Sequence, residues 1–355
     1  MHHARSSYPA GRGYLAACTM GLPTAATRDA VILDALAWTE GTASAADYTA
    51  VVEHARGHAA TLLGTTADRI ALGSQVSVFA GLAAAAAPTG AEIVCALGDF
   101  SSIVAPFLAR GDLKVRHVPL PELADAIGPH TWLVACSVVQ SATGEVADHR
   151  AISAAARAAG ALVLFDTTQA TGWLPTTDLD ADLVVCHAYK WLSAPRGAAF
   201  ASLSDAAIGT FTPHTAGWYS SDDPWTSCYG PAPALSAGAR RFEVSPAWHA
   251  WVGAEVALGF AASLDLGTGP GSVHSHDVGL ANAFRARLGL EPSDSAIVTW
   301  PDESGDALAA LTAAGIMASG RAGRARVAFH LWNDDEDVAL AAAAVTTRRV
   351  ALRGH

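Results

Sequence analysis

The chain has 355 residues, 51% of them apolar and only 15% charged, with a formal charge of −11 at pH 7. A chain of this length and hydrophobicity buries a sizeable core, which excludes disorder and predicts one large domain with a smaller one beside it. The acidic balance argues against nucleic acid or an anionic membrane as the main partner.

In chain order, residues 1–45 read as an N-terminal arm: YLAACTMGLP is an extended piece ending in a Gly/Pro break, and ATRDAVILDALAWTE has helical periodicity. Helices then alternate with short apolar strands. YTAVVEHARGHAATLLG is a helix stopped at Gly64, and RIALGSQ is a strand leading into an apolar helix over 76–87. EIVCAL, TWLVAC, LVLFD, LVVC and AAFASL are further strands. Between two of them DHRAISAAARAAGA predicts a helix, with Asp148 as N-cap and Gly160 just past its end. This alternation indicates an α/β fold with a mostly parallel sheet. Residues 211–248, rich in Pro, Gly, Trp, Ser and Asp, break the rhythm as a long loop, which is uncommon unless functional. WHAWVGAEVALGFAASLDLG restarts helix, and the remainder alternates as a small α+β domain does. The expected division is an arm of the small domain over 1–45, a large domain over 46–250 and a small C-terminal domain over 251–355.

The longest apolar run, 76–88, is too short to span a bilayer, and MHHARSSYPAGRGYL lacks the apolar core of a signal peptide. A cytoplasmic protein with no membrane partner is the expectation. The five cysteines are odd in number, widely spaced and without a CxxC pair, so neither a zinc site nor a redox pair is signalled.

Lysine is the informative residue, because the chain has two: Lys114 and Lys190. Lys190 follows the apolar strand-like run DLVVCHAYK and precedes WLSAPRG, and Asp166 ends another such run in ALVLFDTTQATG. A strand-end acid followed by a strand-end lysine suits pyridoxal phosphate (PLP). The lysine amine condenses with the cofactor aldehyde, and the acid keeps the pyridine nitrogen protonated. A solvated surface amine and a helix N-cap are the plainer readings of Lys190 and Asp166. Gln169 can donate to the cofactor phenolate. Gly73, Ser74 and Gln75 open the apolar helix, where backbone N–H groups cradle phosphate; a simple N-cap serine explains the same residues. Phe100 is a candidate to stack on the pyridine ring, or a core aromatic. Arg326, in GRARVAFHLWNDDEDV, is placed to fork onto the carboxylate of an amino-acid substrate. Arg321 and Arg324 fit surface pairing with the acidic run 334–337 better.

These residues complete a resemblance. LVLFDTTQATGWLPTTDLDADLVVCHAYKWLSAPRGAAFASL resembles the cofactor segment of class V aminotransferase-like PLP enzymes of fold type I, which include cysteine desulfurases, kynureninases and C–S lyases. The likeness runs from YLAACTMGLP to RVAFHLWNDDEDV. It implies a seven-stranded mixed sheet, a small C-terminal domain, and a homodimer with sites at the interface. It assigns Lys190 to the Schiff base, Asp166 to the pyridinium nitrogen and Gln169 to the ring oxygen. It gives phosphate to Ser74, Gln75, His187 and Tyr189, ring stacking to Phe100, and the substrate carboxylate to Arg326. Ser141 stands where many members have asparagine, and its role is left open.

Desulfurases need a nucleophilic cysteine shortly before the carboxylate arginine, and GIMASGRAGRAR has none. The AGW and RRFEVSPAW segments resemble the kynureninase-type subgroup and, more closely, the actinobacterial C–S lyases of ergothioneine biosynthesis. Their substrate, hercynylcysteine sulfoxide, carries a trimethylammonium group of the kind aromatic faces hold. Trp218, Tyr219, Trp225, Tyr229 and Trp248 concentrate in this segment, with Trp218 and Tyr219 the expected substrate contacts; packing at a dimer interface explains the same aromatics. The expected activity is PLP-dependent β-elimination giving pyruvate and ammonia. A class V aminotransferase or a kynureninase-like hydrolase is the alternative.

Overall fold

In the computed structural model, which describes residues 2–230 and 234–353, the apolar runs form two sheets. Strands β1 (Ile70–Gly73), β2 (Glu92–Ala96), β3 (Lys114–Val118), β4 (Thr131–Ser137), β5 (Leu162–Asp166), β6 (Leu183–His187) and β7 (Ala199–Leu203) make a seven-stranded sheet in the order β1-β7-β6-β5-β4-β2-β3. Strand β7 runs antiparallel to β1 and β6, and the other pairings are parallel. Strands β8 (Ile297–Pro301), β9 (Ser319–Arg321) and β10 (Arg324–Ala328) make a small antiparallel sheet with β10 in the centre. The helices are α1 (His2–Ser6), α2 (Ala25–Glu40), α3 (Ala45–Leu63), α4 (Val76–Ala86), α5 (Ser101–Ala109), α6 (His149–Ala159), α7 (Asp205–Thr210), α8 (Trp248–Ala262), α9 (Val273–Leu288), α10 (Asp306–Ala313) and α11 (Asp335–Arg353). This is the expected α/β architecture.

Strands β5 and β6 read as unbroken apolar runs because helices cover both faces of the sheet. Phe79, Ile103 and Phe107 of α4 and α5 pack on one face; Val52, Leu62 and Trp251 of α3 and α8 pack on the other. The helix ends follow their signals. Ser44 caps α3 by accepting from Asp47 N at 3.2 Å, and Gly64 ends it at φ 65°. Asp148 caps α6 by accepting from Ala151 N at 3.0 Å, and Gly160 closes it at φ 71°. Strand β3 was not expected. Its sequence KVRHV buries only Val118, as suits a charged strand on an open sheet edge.

The arm divides. Tyr14 and Ala16 bridge to Met317 and Ala328, so residues 14–16 sit with the small sheet, where Leu15 joins Phe284, Trp300, Val327 and Phe329 in one core. Helix α2 instead packs on α8, and α8 on α3. Residue 250, the expected boundary, falls inside α8; we propose that the chain passes to the C-terminal unit after Ala262.

The irregular segment over 211–247 is anchored by one buried acid. Glu243 accepts from Arg56 Nη2 at 3.0 Å, from Arg56 Nη1 and from Leu72 N at 2.9 Å, and its carbonyl takes the Ser220 hydroxyl at 2.6 Å. The acidic run near the C-terminus pairs with the arm, not with Arg321 or Arg324: Asp334 lies 2.5 Å from Arg5 and 3.1 Å from Arg12, whereas Arg324 Nε donates to Thr299 Oγ1 and Arg321 to the Gly320 carbonyl. The arm folds back across α11's first turn, which brings those two guanidinium groups nearer. Among the described residues no helix is long and apolar enough to cross a membrane, and no cluster of His, Cys, Asp or Glu is arranged to hold a metal.

Candidate active site

The carboxyl ends of β1, β2, β4, β5 and β6 open on one cleft, where parallel sheets present their ligand loops. Strand β1 leads to Gln75 and Val76 at the start of α4, and β2 to Phe100. Strand β4 leads to Ser141, β5 ends in Asp166, and β6 ends in His187 just before Tyr189 and Lys190.

Lys190 is 6% exposed, and among the described residues its amine makes no hydrogen bond or ion pair. Nζ lies 5.4 Å from the Phe100 ring centre and 5.6 Å from that of Tyr189. Burial pulls its ammonium down to about 8, with the Asp166 charge opposing. The turn carrying it is closed by Ser193 N donating to Lys190 O at 3.0 Å, with Ser193 in a left-handed conformation at φ 57°. Gly21 N donates to Tyr189 O at 2.9 Å, and a Cβ at Gly21 would collide with the Lys190 carbonyl. The Gly/Pro break of the arm therefore seats directly against the lysine turn.

Asp166 is buried, and Oδ1 accepts from Thr168 N at 2.8 Å. Burial pushes its carboxyl up to about 6, opposed by Thr168 and by Lys190. The group is therefore mostly ionised at neutral pH but readily shares a proton. Asp99 holds the Phe100 loop: Oδ1 accepts from Phe100 N at 2.7 Å and from Ser137 Oγ at 2.6 Å.

At the start of α4 the N-cap Gln75 makes no side-chain cap bond, so the first N–H groups of the helix remain for an anion. His187 N donates to Thr168 Oγ1 at 3.0 Å, and its ring packs edge-on to Tyr189 at 4.3 Å. Burial first, then Arg196 and Lys190, hold His187 down to about 4, so it is a neutral donor at pH 7. Arg196 lies over the Tyr189 ring at 4.9 Å and lines the same cleft.

Behind the cleft, Arg326 is 1% exposed. Nε donates to Ser319 Oγ at 3.1 Å, Nη2 to Thr19 Oγ1 at 3.0 Å, and Nη1 to both Ser141 Oγ at 3.0 Å and the Ser141 carbonyl. Every acceptor is neutral, and burial lowers the pKa of this guanidinium. Ser141 Oγ also takes one N–H of Gln169 at 3.1 Å; the other goes to Cys18 O at 2.9 Å, and Gln169 Oε1 accepts from Trp191 Nε1 at 2.8 Å.

Gln75, Phe100, Asp166, Gln169, His187, Tyr189 and Lys190 thus meet in the cleft. Ser74 is exposed beside it, one residue before the N-cap. The expected substrate contact at Tyr219 is corrected. The Ser220–Glu243 bond turns Tyr219 inward, where it is fully buried in the core with Trp251, its ring edge-on to Trp218 at 5.0 Å. Trp218 is half-buried against that core and 5.3 Å from Trp225, and it does not line the cleft. Trp248 stacks on Tyr48 at 5.1 Å. Ser102, Ser137, Thr168 and Arg196 line the cleft without having been expected. Of these only Arg196 carried a signal, as the one cation in the WLSAPRG turn after Lys190.

A phosphorylated pyridine aldehyde fits these groups. An unpaired buried amine faces the cleft, an acid sits at its floor, an aromatic ring stands at its wall, and an uncapped helix start and an arginine sit at its rim.

The sequence profile of the family Aminotransferase class-V matches residues 35–289. The kynureninase of Deinococcus radiodurans is 32% identical over 65% of this chain, a match that spans 58% of that enzyme's length. The cysteine desulfurase CsdA of Escherichia coli superposes with a TM-score of 0.83 at 21% identity, covering 99% of this chain and 98% of its own. The cystine C–S lyase C-DES, in complex with its product cysteine persulfide, superposes with a TM-score of 0.83 at 19% identity over 95% and 97% of the two chains.

Proposed function

The chain belongs to the aminotransferase class-V family, a PLP-dependent enzyme family, and we propose that within it this protein is a C–S β-lyase that cleaves hercynylcysteine sulfoxide. The products are a sulfenate, pyruvate and ammonia, with one water consumed. The observation that carries the amino-acid part of this reading is Arg326, a buried guanidinium whose acceptors are all neutral. A carboxylate that replaces Ser141 there gains a charge-assisted fork that the resting protein does not supply.

Asp166, Lys190, Phe100, His187, Tyr189 and Arg196, with the start of α4, are the residues that would hold the cofactor. Bound PLP supplies an electron sink for the charge left when a proton departs from substrate Cα. Asp166, in its buried setting, keeps a proton at the pyridine nitrogen. Arg326 fixes the substrate carboxylate and so orients Cα. Lys190, its amine lowered to about 8 by burial, moves the Cα proton near neutral pH. Gln169 and Ser141 orient the polar side of the cleft.

The choice of a sulfoxide lyase is supported by the AGW and RRFEVSPAW segments and by the absence of cysteine from the loop before Arg326, over 315–325. We propose a homodimer with the site at its interface. Val31, Ile32, Leu33, Leu36 and Trp38 of α2 are 37–66% exposed, an apolar surface that a second copy would cover. Trp225 and Tyr229, 46% and 90% exposed, would then be free to close the site of the other subunit on a trimethylammonium group. A kynureninase-like hydrolase is the second reading, favoured by the relative at 32% identity.

PLP-loaded protein incubated separately with hercynylcysteine sulfoxide, kynurenine and cysteine, with pyruvate and anthranilate assayed, decides between them. Pyruvate from the first substrate alone is expected. Anthranilate from kynurenine at a comparable rate would replace the lyase reading with the hydrolase.

A further inference from the structure

We propose that His330, held by Asp277, is a positioning residue for Lys190: it clamps the carbonyl of Trp191, the next residue in the chain, and thereby sets the lysine amine and the Gln169 amide. The inference rests on Lys190 being the cofactor-bearing lysine.

His330 and Asp277 are both fully buried, with Nδ1 2.6 Å from Asp277 Oδ2 and Nε2 2.9 Å from the Trp191 carbonyl. A carbonyl only accepts, so Nε2 carries a proton. The Nδ1–Oδ2 contact then shares one further proton, and the pair is neutral as a whole. Asp277 Oδ1 has no hydrogen-bond partner, so His330 is the partner that justifies this acid. Its neighbours on α9, Val278, Leu280 and Ala281, are apolar, and an apolar residue at 277 would avoid the cost of burying an acid. Tyr8, His274 and His276 also face Asp277.

The clamp has a built seat. Gly172, at φ 114°, leaves room for the Trp191 carbonyl; a Cβ there would lie 3.0 Å from it. The His330 ring stands edge-on to the Trp191 indole at 5.1 Å and to Trp332 at 4.9 Å. From Trp191 the path continues through Nε1 to Gln169, from Gln169 to Ser141, and from Ser141 to Arg326. Arg326 lies on β10 and His330 just beyond that strand, so the hydrogen bonds close a circuit around the back of Lys190. The position of the C-terminal unit reaches the amine through this circuit.

The test compares wild-type, His330→Ala, His330→Gln and Asp277→Asn proteins by two readouts: the pH midpoint of the PLP visible band, and the rate at which apoprotein captures PLP. The expected result for His330→Ala is a midpoint displaced by about half a pH unit or more and capture slowed about tenfold. In His330→Gln, the amide N–H can donate to the same carbonyl and should restore most of both. His330→Ala matching wild type in both readouts overturns the proposal, as does His330→Gln as impaired as the alanine variant. If His330→Ala does not fold, Asp277→Asn decides, with a displaced midpoint expected and an unchanged one overturning the proposal. A wild-type protein with no visible band would instead sink the cofactor reading, and is separable on that ground.

Discussion

Arg326 and Ser141 are joined twice: Nη1 of the arginine donates to the serine hydroxyl at 3.0 Å and also to the serine carbonyl. No carboxylate among the described residues pairs with this buried cation, which supports the proposal that it receives the carboxylate of an amino-acid substrate. Arg326→Gln is predicted to raise KM for the amino-acid substrate about a hundredfold, with PLP still bound and coloured. Steady-state kinetics beside an absorbance spectrum check this. A KM within twofold of wild type would remove Arg326 from substrate binding.

Lys190 costs the apoprotein stability. Its amine falls from an ordinary 10.5 to about 8 in the fold. A group depressed in this way contributes stability above its unfolded value and loses it as pH falls through its folded value. Near pH 7 the cost is therefore fully present, on the order of 3 kcal/mol. Lys190→Met apoprotein should be more stable than wild type by about 1–3 kcal/mol near pH 7, with the gain shrinking toward about pH 11. Urea denaturation at both pH values measures it.

Asp166 runs the other way. Its carboxyl rises to about 6 by burial, so its contribution is present below its ordinary value of 3.8 and is lost as pH rises through about 6. Asp166→Asn apoprotein should match or exceed wild-type stability at neutral pH. Turnover by the loaded enzyme should nevertheless fall about a hundredfold or more, because a neutral amide would not hold a proton on the pyridine nitrogen as the proposed carboxylate partner does. An Asn variant with normal kcat would contradict the role.

The aromatic loop splits into packing and exposed members. Tyr219 is fully buried beside Trp251, so Tyr219→Ala is predicted to cost about 3 kcal/mol of stability and to leave KM unchanged in the folded fraction. Tyr229 is 90% exposed, and Tyr229→Ala should leave stability unchanged. If it closes the neighbouring subunit's site, this variant raises KM for the trimethylammonium substrate severalfold. Thermal melts and kinetics on both variants separate the two.

Much of this was legible in the sequence because strand ends carry the chemistry. DLVVCH and LVLFD are apolar enough to be strands on sight, and a lysine or aspartate at the end of such a run has few uses outside a site. Gly64, Asp148 and Gly160 marked their helix ends for equally local reasons. The misses are tertiary. Strand β3 has no apolar run because it lies on an open edge. Tyr219 faces inward because Ser220 bonds to Glu243, a contact between residues far apart in the sequence. Ser141 looks unremarkable in QSATGEV until the fold sets it between Gln169 and Arg326. The Asp277–His330 pair is likewise formed by residues 53 positions apart.

Lys190 is predicted to carry PLP through a covalent link, and the presence of only two lysines makes that link directly measurable. PLP-saturated protein is reduced with borohydride, digested and mapped by mass spectrometry. A pyridoxyl-phosphate adduct on the peptide containing Lys190, with Lys114 unmodified, is the predicted result. An adduct confined to Lys114, or none on Lys190, would contradict the account.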